Sequence, residues 1–264
     1  MSSAFVMREG EVEGSSRIIY VVCEPLERAG FLNAFSTRQG GAGLRGELNL
    51  GGGPKEEIAE NRRRFLKAIG AEGMTLITMR QTHSSEVSIV EAGTSNPTCD
   101  AMIAKDAGLL LAVQTADCLP ILIANPEVGL VAAIHAGWRG TAQRITERTV
   151  AAIRLRFGAD ARTSMAALGP SICASCYQVR EDVIERYRKE FRYWEDLFLQ
   201  VDGRTYLDIR AANVRQLLLC GFAEDRIYVA EHCTMHQREL FFSYRRESKF
   251  DRVGRMLSVI GRPR

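Results

Sequence analysis

The run Leu109-Leu110-Leu111-Ala112-Val113-Gln114-Thr115-Ala116-Asp117-Cys118-Leu119-Pro120-Ile121-Leu122-Ile123-Ala124 decides the fold. Leu109–Val113 and Ile121–Ala124 are short apolar segments bounded by breakers, the pattern of buried strands. Thr115-Ala116-Asp117-Cys118 forces a break between them. Gly129–Ile134 reads as a third buried strand, stopping at His135, after which Gly137 and Gly140 mark a tight turn.

Outward from this unit, Ile18–Cys23, Met74–Met79, Ser85–Glu91, Arg226–Ala230 and Leu240–Tyr244 read as further strands. Glu56–Ile69, ending at Gly70, reads as a helix. So do Thr141–Phe157 with Thr141 as N-cap, Glu181–Arg192 and Leu207–Leu219. Strands and helices mix without steady alternation, which predicts an α+β fold with mixed sheets. Nothing cuts the chain into domains. Residues 1–14 are polar and read as a flexible N-terminus, leaving 15–264 as a single domain.

The 264 residues suffice for a large core, and 46% hydrophobic with 25% charged residues is ordinary for a soluble globular protein. A net charge of +3 gives no argument for nucleic acid as partner, although small anionic substrates fit. The apolar stretch 108–124 is interrupted by Gln114, Thr115, Asp117 and Pro120, so no membrane span is expected. Seven scattered cysteines and no signal-peptide pattern over residues 1–14 predict a reduced, cytoplasmic protein.

Cys118 and His135 both stand where an apolar strand run ends, and neighbouring strand ends can bring two side chains onto one ion. With His83, in Gln81-Thr82-His83-Ser84, they form a two-imidazole, one-thiolate set suited to a zinc ion with an open fourth position. The same residues suit a Cys nucleophile with a His base, or a buried structural Cys with two hydrogen-bonded His. His232-Cys233-Thr234-Met235-His236 has metal-like spacing but no companion pair nearby in sequence. Cys173-Ala174-Ser175-Cys176 is a C-x-x-C that follows a turn, without the βαβ pattern of a thioredoxin-like site. The glycines at 40–46 and 51–53 match neither Walker nor Rossmann spacing. Arg38, Arg62 and Arg139 lie near Gly-rich or His-bearing segments.

The blocks Gln81-Thr82-His83, Ala116-Asp117-Cys118-Leu119-Pro120 and His135-Ala136-Gly137-Trp138-Arg139-Gly140 resemble the signatures of the laccase-domain family. This is the multicopper polyphenol oxidase-like group that includes bacterial purine nucleoside phosphorylases and peptidoglycan editing factors. The likeness continues in order through Leu48-Asn49-Leu50-Gly51, Asn61-Arg62-Arg63, Asp100-Ala101, Gly169-Pro170-Ser171-Ile172, Leu207–Asn213, Cys233-Thr234, Phe241–Arg246 and Gly254-Arg255-Met256. It departs at Gln178, where relatives often carry Glu.

The resemblance implies one domain of layered mixed β-sheets flanked by helices. It implies zinc held by His83, Cys118 and His135, with copper in oxidase-type relatives. The implied chemistry is phosphorolysis of adenosine, inosine, guanosine and methylthioadenosine, with adenosine deamination beside it; purine nucleosides and phosphate are the implied small-molecule partners. In that reading Arg62 and Arg38 are candidates for phosphate, because Arg binds oxyanions bidentately. Asp100 and Ser36 are candidates to orient the nucleoside or a metal-bound group, and Asp117 to support Cys118. The alternatives are a Cys118–His135 amidase acting on peptidoglycan precursors and a copper polyphenol oxidase. Four histidines in the whole chain are few for the latter.

Overall fold

The computed structural model describes residues 4–12, 17–42, 46–250 and 253–264. The strands are β1 (Phe5–Glu11), β2 (Arg17–Cys23), β3 (Leu32–Ser36), β4 (Thr75–Ile77), β5 (Val87–Ile89), β6 (Ala101–Ala104), β7 (Leu109–Thr115), β8 (Leu119–Asn125), β9 (Leu130–Ala136), β10 (Met165–Leu168), β11 (Gln178–Val179), β12 (Phe198–Val201), β13 (Arg204–Leu207), β14 (Ile227–Val229) and β15 (Met256–Gly261). The α-helices are α1 (Glu24–Arg28), α2 (Lys55–Ala68), α3 (Trp138–Ala142), α4 (Ile145–Phe157), α5 (Glu181–Glu190), α6 (Ile209–Leu219) and α7 (Tyr244–Glu247).

Two six-stranded mixed sheets, ordered β1-β2-β3-β15-β7-β4 and β14-β10-β8-β9-β6-β5, lie face to face, with a small sheet β11-β13-β12 beside them. Side-chain alternation assigns the layers. Leu109, Leu111 and Val113 of β7 share one core with Leu122 and Ala124 of β8 and with Val131 and Ala133 of β9. Leu110 and Ala112 turn outward to join Phe65 of α2. Leu119, Ile121 and Ile123 turn outward from the other sheet to meet Ile145, Ile153, Tyr187 and Leu217 of the helices α4, α5 and α6. The chain is therefore a single α+β domain of two sheets covered on both outer faces. Strands buried on both faces read as unbroken apolar runs, which is why 109–124 carries no polar alternation.

The local expectations need four corrections. Residues 5–11 of the supposed flexible N-terminus form β1, paired with β2 from Phe5↔Cys23 to Glu11↔Arg17; residues 1–3 and 13–16 lie outside the described set. Thr141 does not cap a helix: α3 begins after Gly137, and Arg144, left-handed at φ 62°, separates it from α4. Leu240–Tyr244 is no strand; Phe241 and Phe242 are buried anchors, and Ser243 caps α7 by accepting from Arg246 N. Leu207–Leu219 begins two residues later as a helix, with Asp208 accepting from Ala211 N as its N-cap.

Topology sets up the site. β7 and β8 are consecutive but belong to different sheets, so Ala116-Asp117-Cys118 carries the chain from one to the other. The β4–β5 connection bearing His83 makes the same crossing. β4 runs parallel to β7, β9 antiparallel to β8, and β6 antiparallel to β9. Both crossings, the end of β9 and the start of β6 therefore gather at one end of the sandwich.

Candidate metal centre

At that end the ligand atoms of His83, Cys118 and His135 all lie within 4.8 Å of one another. Cys118 Sγ is 4.0 Å from His83 Nε2, and the two imidazole rings meet edge to face with centroids 4.8 Å apart. Tetrahedral zinc with bonds of roughly 2.0–2.3 Å needs ligand atoms separated by about 3.3–3.8 Å, so small side-chain adjustments close the set on an ion. A Cβ at Gly137 would stand 3.0 Å from His83 Cδ2 and 3.1 Å from Cys118 Sγ. The glycine after the His135 strand thus keeps open the space that the ligands share.

Asp100 organises this set from below. It is fully buried immediately before β6. Its Oδ1 accepts from His135 Nδ1 at 2.8 Å and from His83 N at 3.1 Å. Its Oδ2 accepts from Thr82 N (3.1 Å), Ser84 N (2.7 Å) and the Ser84 hydroxyl (2.7 Å). Three successive backbone N–H groups curl around one carboxylate, forming an anion nest. They hold His83 in the left-handed region at φ 58°, a conformation uncommon outside glycine. With Nδ1 committed to Asp100, His135 turns Nε2 toward Cys118 and His83. A carboxylate behind a histidine is the usual device for fixing the tautomer of a metal ligand.

The electrostatics agree. Burial opposes the Asp100 charge, but bonds from His135 and Ser84 hold its carboxyl well below the usual range. Burial also works against the Cys118 thiolate, yet His135 and His83 outweigh it and bring the thiol down to about 6. Burial lowers His135, while Cys118 and Asp100 more than compensate and raise it to about 9. In the metal-free protein the pair is therefore thiolate and imidazolium near neutrality. A thiolate is the form that ligates metal; the imidazolium must lose its proton to do so.

Asp117 supports the Cys118 turn from the other side. It is left-handed at φ 92° and accepts from the Thr234 and Ser243 hydroxyls at 2.6 and 3.0 Å and from Arg245 N at 2.6 Å. Arg245 also lies over the Tyr177 ring, 5.4 Å from its centroid. Burial suppresses ionisation of Tyr177, and the nearby Cys118 reinforces this, while Arg245 and Arg139 oppose it. Tyr177 thus neighbours Cys118, with Arg245 and Arg139 close to the Tyr177 side chain. Arg245 lies within the Phe241–Arg246 block, whereas no sequence signal singles out Tyr177.

The other sequence candidates are distributed as follows. Ser36 is buried in the β3–β15 pairing, its Oγ accepting from Leu257 N. Arg38 is paired with Glu47 and Glu247 and stacked on Phe242, beside an open cleft of about 650 Å³ that Arg246 also lines. Arg62, on α2, donates Nε to Leu50 O, and no carboxylate among the described residues pairs with it. The Leu50–Gly51 loop abuts Gln114, whose backbone exchanges two hydrogen bonds with the Gln81 side chain, two residues before His83. Gln178 is exposed, and its carbonyl accepts from Arg245. His232 stays apart from the His83 set, half-buried against Phe241.

Residues 32–263 match the family described as multi-copper polyphenol oxidoreductase laccase. The chain belongs to this family. It is 39% identical over 248 residues to a Deinococcus radiodurans protein named purine nucleoside phosphorylase, covering 91% of this chain and 94% of that one. It is 32% identical over 233 residues to a protein named adenosine deaminase RL5 from an unknown prokaryotic organism, covering 81% and 88%. The crystal structure of YlmD from Geobacillus stearothermophilus superposes with a TM-score of 0.85 at 31% identity, over 97% of this chain and 99% of that one. No helix among the described residues is long and apolar enough to cross a membrane.

Proposed function

We propose that this chain is a zinc-dependent purine nucleoside phosphorylase, cleaving adenosine, inosine, guanosine and methylthioadenosine, with adenosine deamination as a side activity. The observation that carries this reading is the His83–Cys118–His135 set braced by Asp100. Two imidazoles and one thiolate are a donor set for zinc, with copper the alternative that soft and imidazole ligands also accept. The relatives named as phosphorylases and as a deaminase supply the reaction class.

When bound, the ion supplies Lewis acidity and one open coordination position. The chain's own groups do the rest. Asp100 keeps the His135 proton on Nδ1, leaving Nε2 as a donor atom. Arg62, with guanidinium N–H groups to spare, is the proposed phosphate ligand. Arg38 is the weaker candidate, since two glutamates already occupy it. The cationic Arg139 and Arg245 beside Tyr177 suit an anionic co-substrate or a departing purine anion, and the Tyr177 ring suits a base. Ser36 and Asp100 are the proposed groups that orient the nucleoside or a metal-bound group, Asp100 through its bond to His135.

The thiolate–imidazolium character of Cys118 and His135 favours one rival, a thiol amidase acting on a cell-wall precursor. A nucleoside panel on zinc-loaded protein, with and without phosphate, separates them. The phosphorylase gives free base and ribose 1-phosphate only when phosphate is present. Base release indifferent to phosphate, or no base release beside amide cleavage, overturns the proposal.

A further inference from the structure

The two motifs that looked unrelated in sequence meet in space. Cys173-x-x-Cys176 and Cys233-x-x-His236 bring four ligand atoms within 4.8 Å of one another. We propose that Cys173, Cys176, Cys233 and His236 form a second, structural metal site for a thiophilic divalent cation of the zinc class, separate from the His83 set. It requires no particular reaction at the first site.

The backbone builds the two halves as facing turns. β10 and β14 are parallel neighbours, and their pairing continues past their ends as a parallel bridge between Ser171 and Cys233. Ser171 O accepts from Thr234 N, and His232 O accepts from Ser171 N. After the bridge each chain turns back on itself. Cys176 N and Tyr177 N donate to Cys173 O, and Gln237 N donates to Cys233 O. The turns aim Cys173 and Cys176 from one side, and Cys233 and His236 from the other. The Cys173 backbone N–H donates to Cys233 Sγ at 3.4 Å, joining the two turns directly. His236 stands between the first two sulfurs, Nδ1 at 3.9 Å from Cys173 Sγ and Nε2 at 3.0 Å from Cys176 Sγ.

Cys₃His at paired two-residue spacings is the donor set of a closed tetrahedral structural zinc site. All seven cysteines are free thiols in the structure, so the sulfurs are available. Binding deprotonates the three thiols and releases their protons to solvent, with no electron transfer. The site is tied to the first through the Cys118 turn: Asp117 O accepts from Ile172 N, next to Cys173, and Asp117 Oδ1 accepts from Thr234, next to Cys233. An ion here locks the 171–177 and 231–237 loops against the residue that precedes Cys118.

The test counts metal on purified, zinc-loaded, desalted full-length chain. Wild type is expected to hold about two zinc ions and His83→Ala/His135→Ala about one, bound in the latter by three sulfurs at roughly 2.3 Å and one nitrogen at roughly 2.0 Å by zinc X-ray absorption. Cys173→Ser/Cys176→Ser should lose one ion. Should that variant not fold, alkylation mapping of wild type decides. Cys173, Cys176 and Cys233 should be protected in the metal-loaded protein and exposed by chelator, with half-buried Cys220, outside both clusters, unchanged by chelator. Full metal retention by Cys173→Ser/Cys176→Ser, complete metal loss in His83→Ala/His135→Ala, or a Cys173–Cys176 disulfide in the unreduced mass overturns the proposal; one ion in wild type that survives His83→Ala/His135→Ala counts against the first site alone.

Discussion

Replacing Asp100 by Asn keeps the shape of the side chain and removes one acceptor oxygen. The structure leaves the amide no harmless orientation. With Nδ2 at the Oδ2 position, its hydrogens oppose the N–H groups of Thr82 and Ser84. With Nδ2 at the Oδ1 position, they oppose His83 N–H and force His135 to accept at Nδ1, moving the ring proton to Nε2, the atom the metal needs. The first orientation leaves two part-buried backbone donors without an acceptor and the second leaves one and shifts the His135 tautomer, at about 1–3 kcal/mol per lost bond. The metal-free protein should therefore lose roughly 1–6 kcal/mol of unfolding free energy in urea. Zinc affinity, measured by competition with a chromophoric chelator, should fall ~10–100-fold, the usual effect of removing a partner behind a metal ligand. The Asp100 carboxyl is depressed in the folded state, so its contribution is present above its unfolded pKa of about 3.9 and is lost as pH falls toward the folded value. The acid limb of the stability curve should accordingly flatten in the variant. Unchanged zinc affinity together with unchanged urea stability would refute the claim that Asp100 orients the ligand set.

Other variants test neighbouring parts. Arg62→Ala should raise the apparent KM for phosphate ~10-fold or more while moving that for nucleoside little, as expected when a charged oxyanion contact is lost; equal shifts in both would remove Arg62 from the phosphate site. Gly137→Ala has an allowed backbone at φ −75°, so it should leave the melting temperature nearly unchanged while weakening zinc binding, because its Cβ crowds His83 and Cys118; parallel loss of both would mean a general packing defect instead. In metal-free protein, iodoacetamide labelling of Cys118 should rise through an apparent pKa of about 6, against roughly 8.5 for an ordinary thiol. Stability from the ion pair is lost below that value as Cys118 protonates and above about 9 as His135 deprotonates. Loading with zinc should abolish the labelling; rapid labelling of metal-replete protein would favour the thiol amidase.

The sequence was most readable where burial is complete. The strands β7, β8 and β9 announce themselves because both faces are covered, and the breaks at 115–118 and after 135 are where functional groups emerge. β15 is just as buried and sits at the centre of its sheet, but Met256–Gly261 is short and ends in glycine. Met165-Ala-Ala-Leu168 has helix-forming residues, and only pairing with β8 and β14 makes it β10. β1 is an edge strand whose exposed positions are Met7, Glu9 and Glu11, so its polar pattern reads as a tail. Phe241-Phe242 signals burial but not its form, since aromatic residues anchor coil as well as strand. The second metal cluster was hidden for a different reason. Each half has the right spacing, but only the parallel β10–β14 pairing shows that the halves face one another.

The central claim is that metal at His83, Cys118 and His135 drives phosphate-dependent release of a purine. The most direct measurement follows hypoxanthine and ribose 1-phosphate produced from inosine by zinc-loaded wild type and His83→Ala across a phosphate series. The account predicts equimolar products whose rate saturates with phosphate in wild type, and a loss of about 100-fold or more in the variant. Hypoxanthine released without ribose 1-phosphate, or undiminished turnover by His83→Ala, would contradict it.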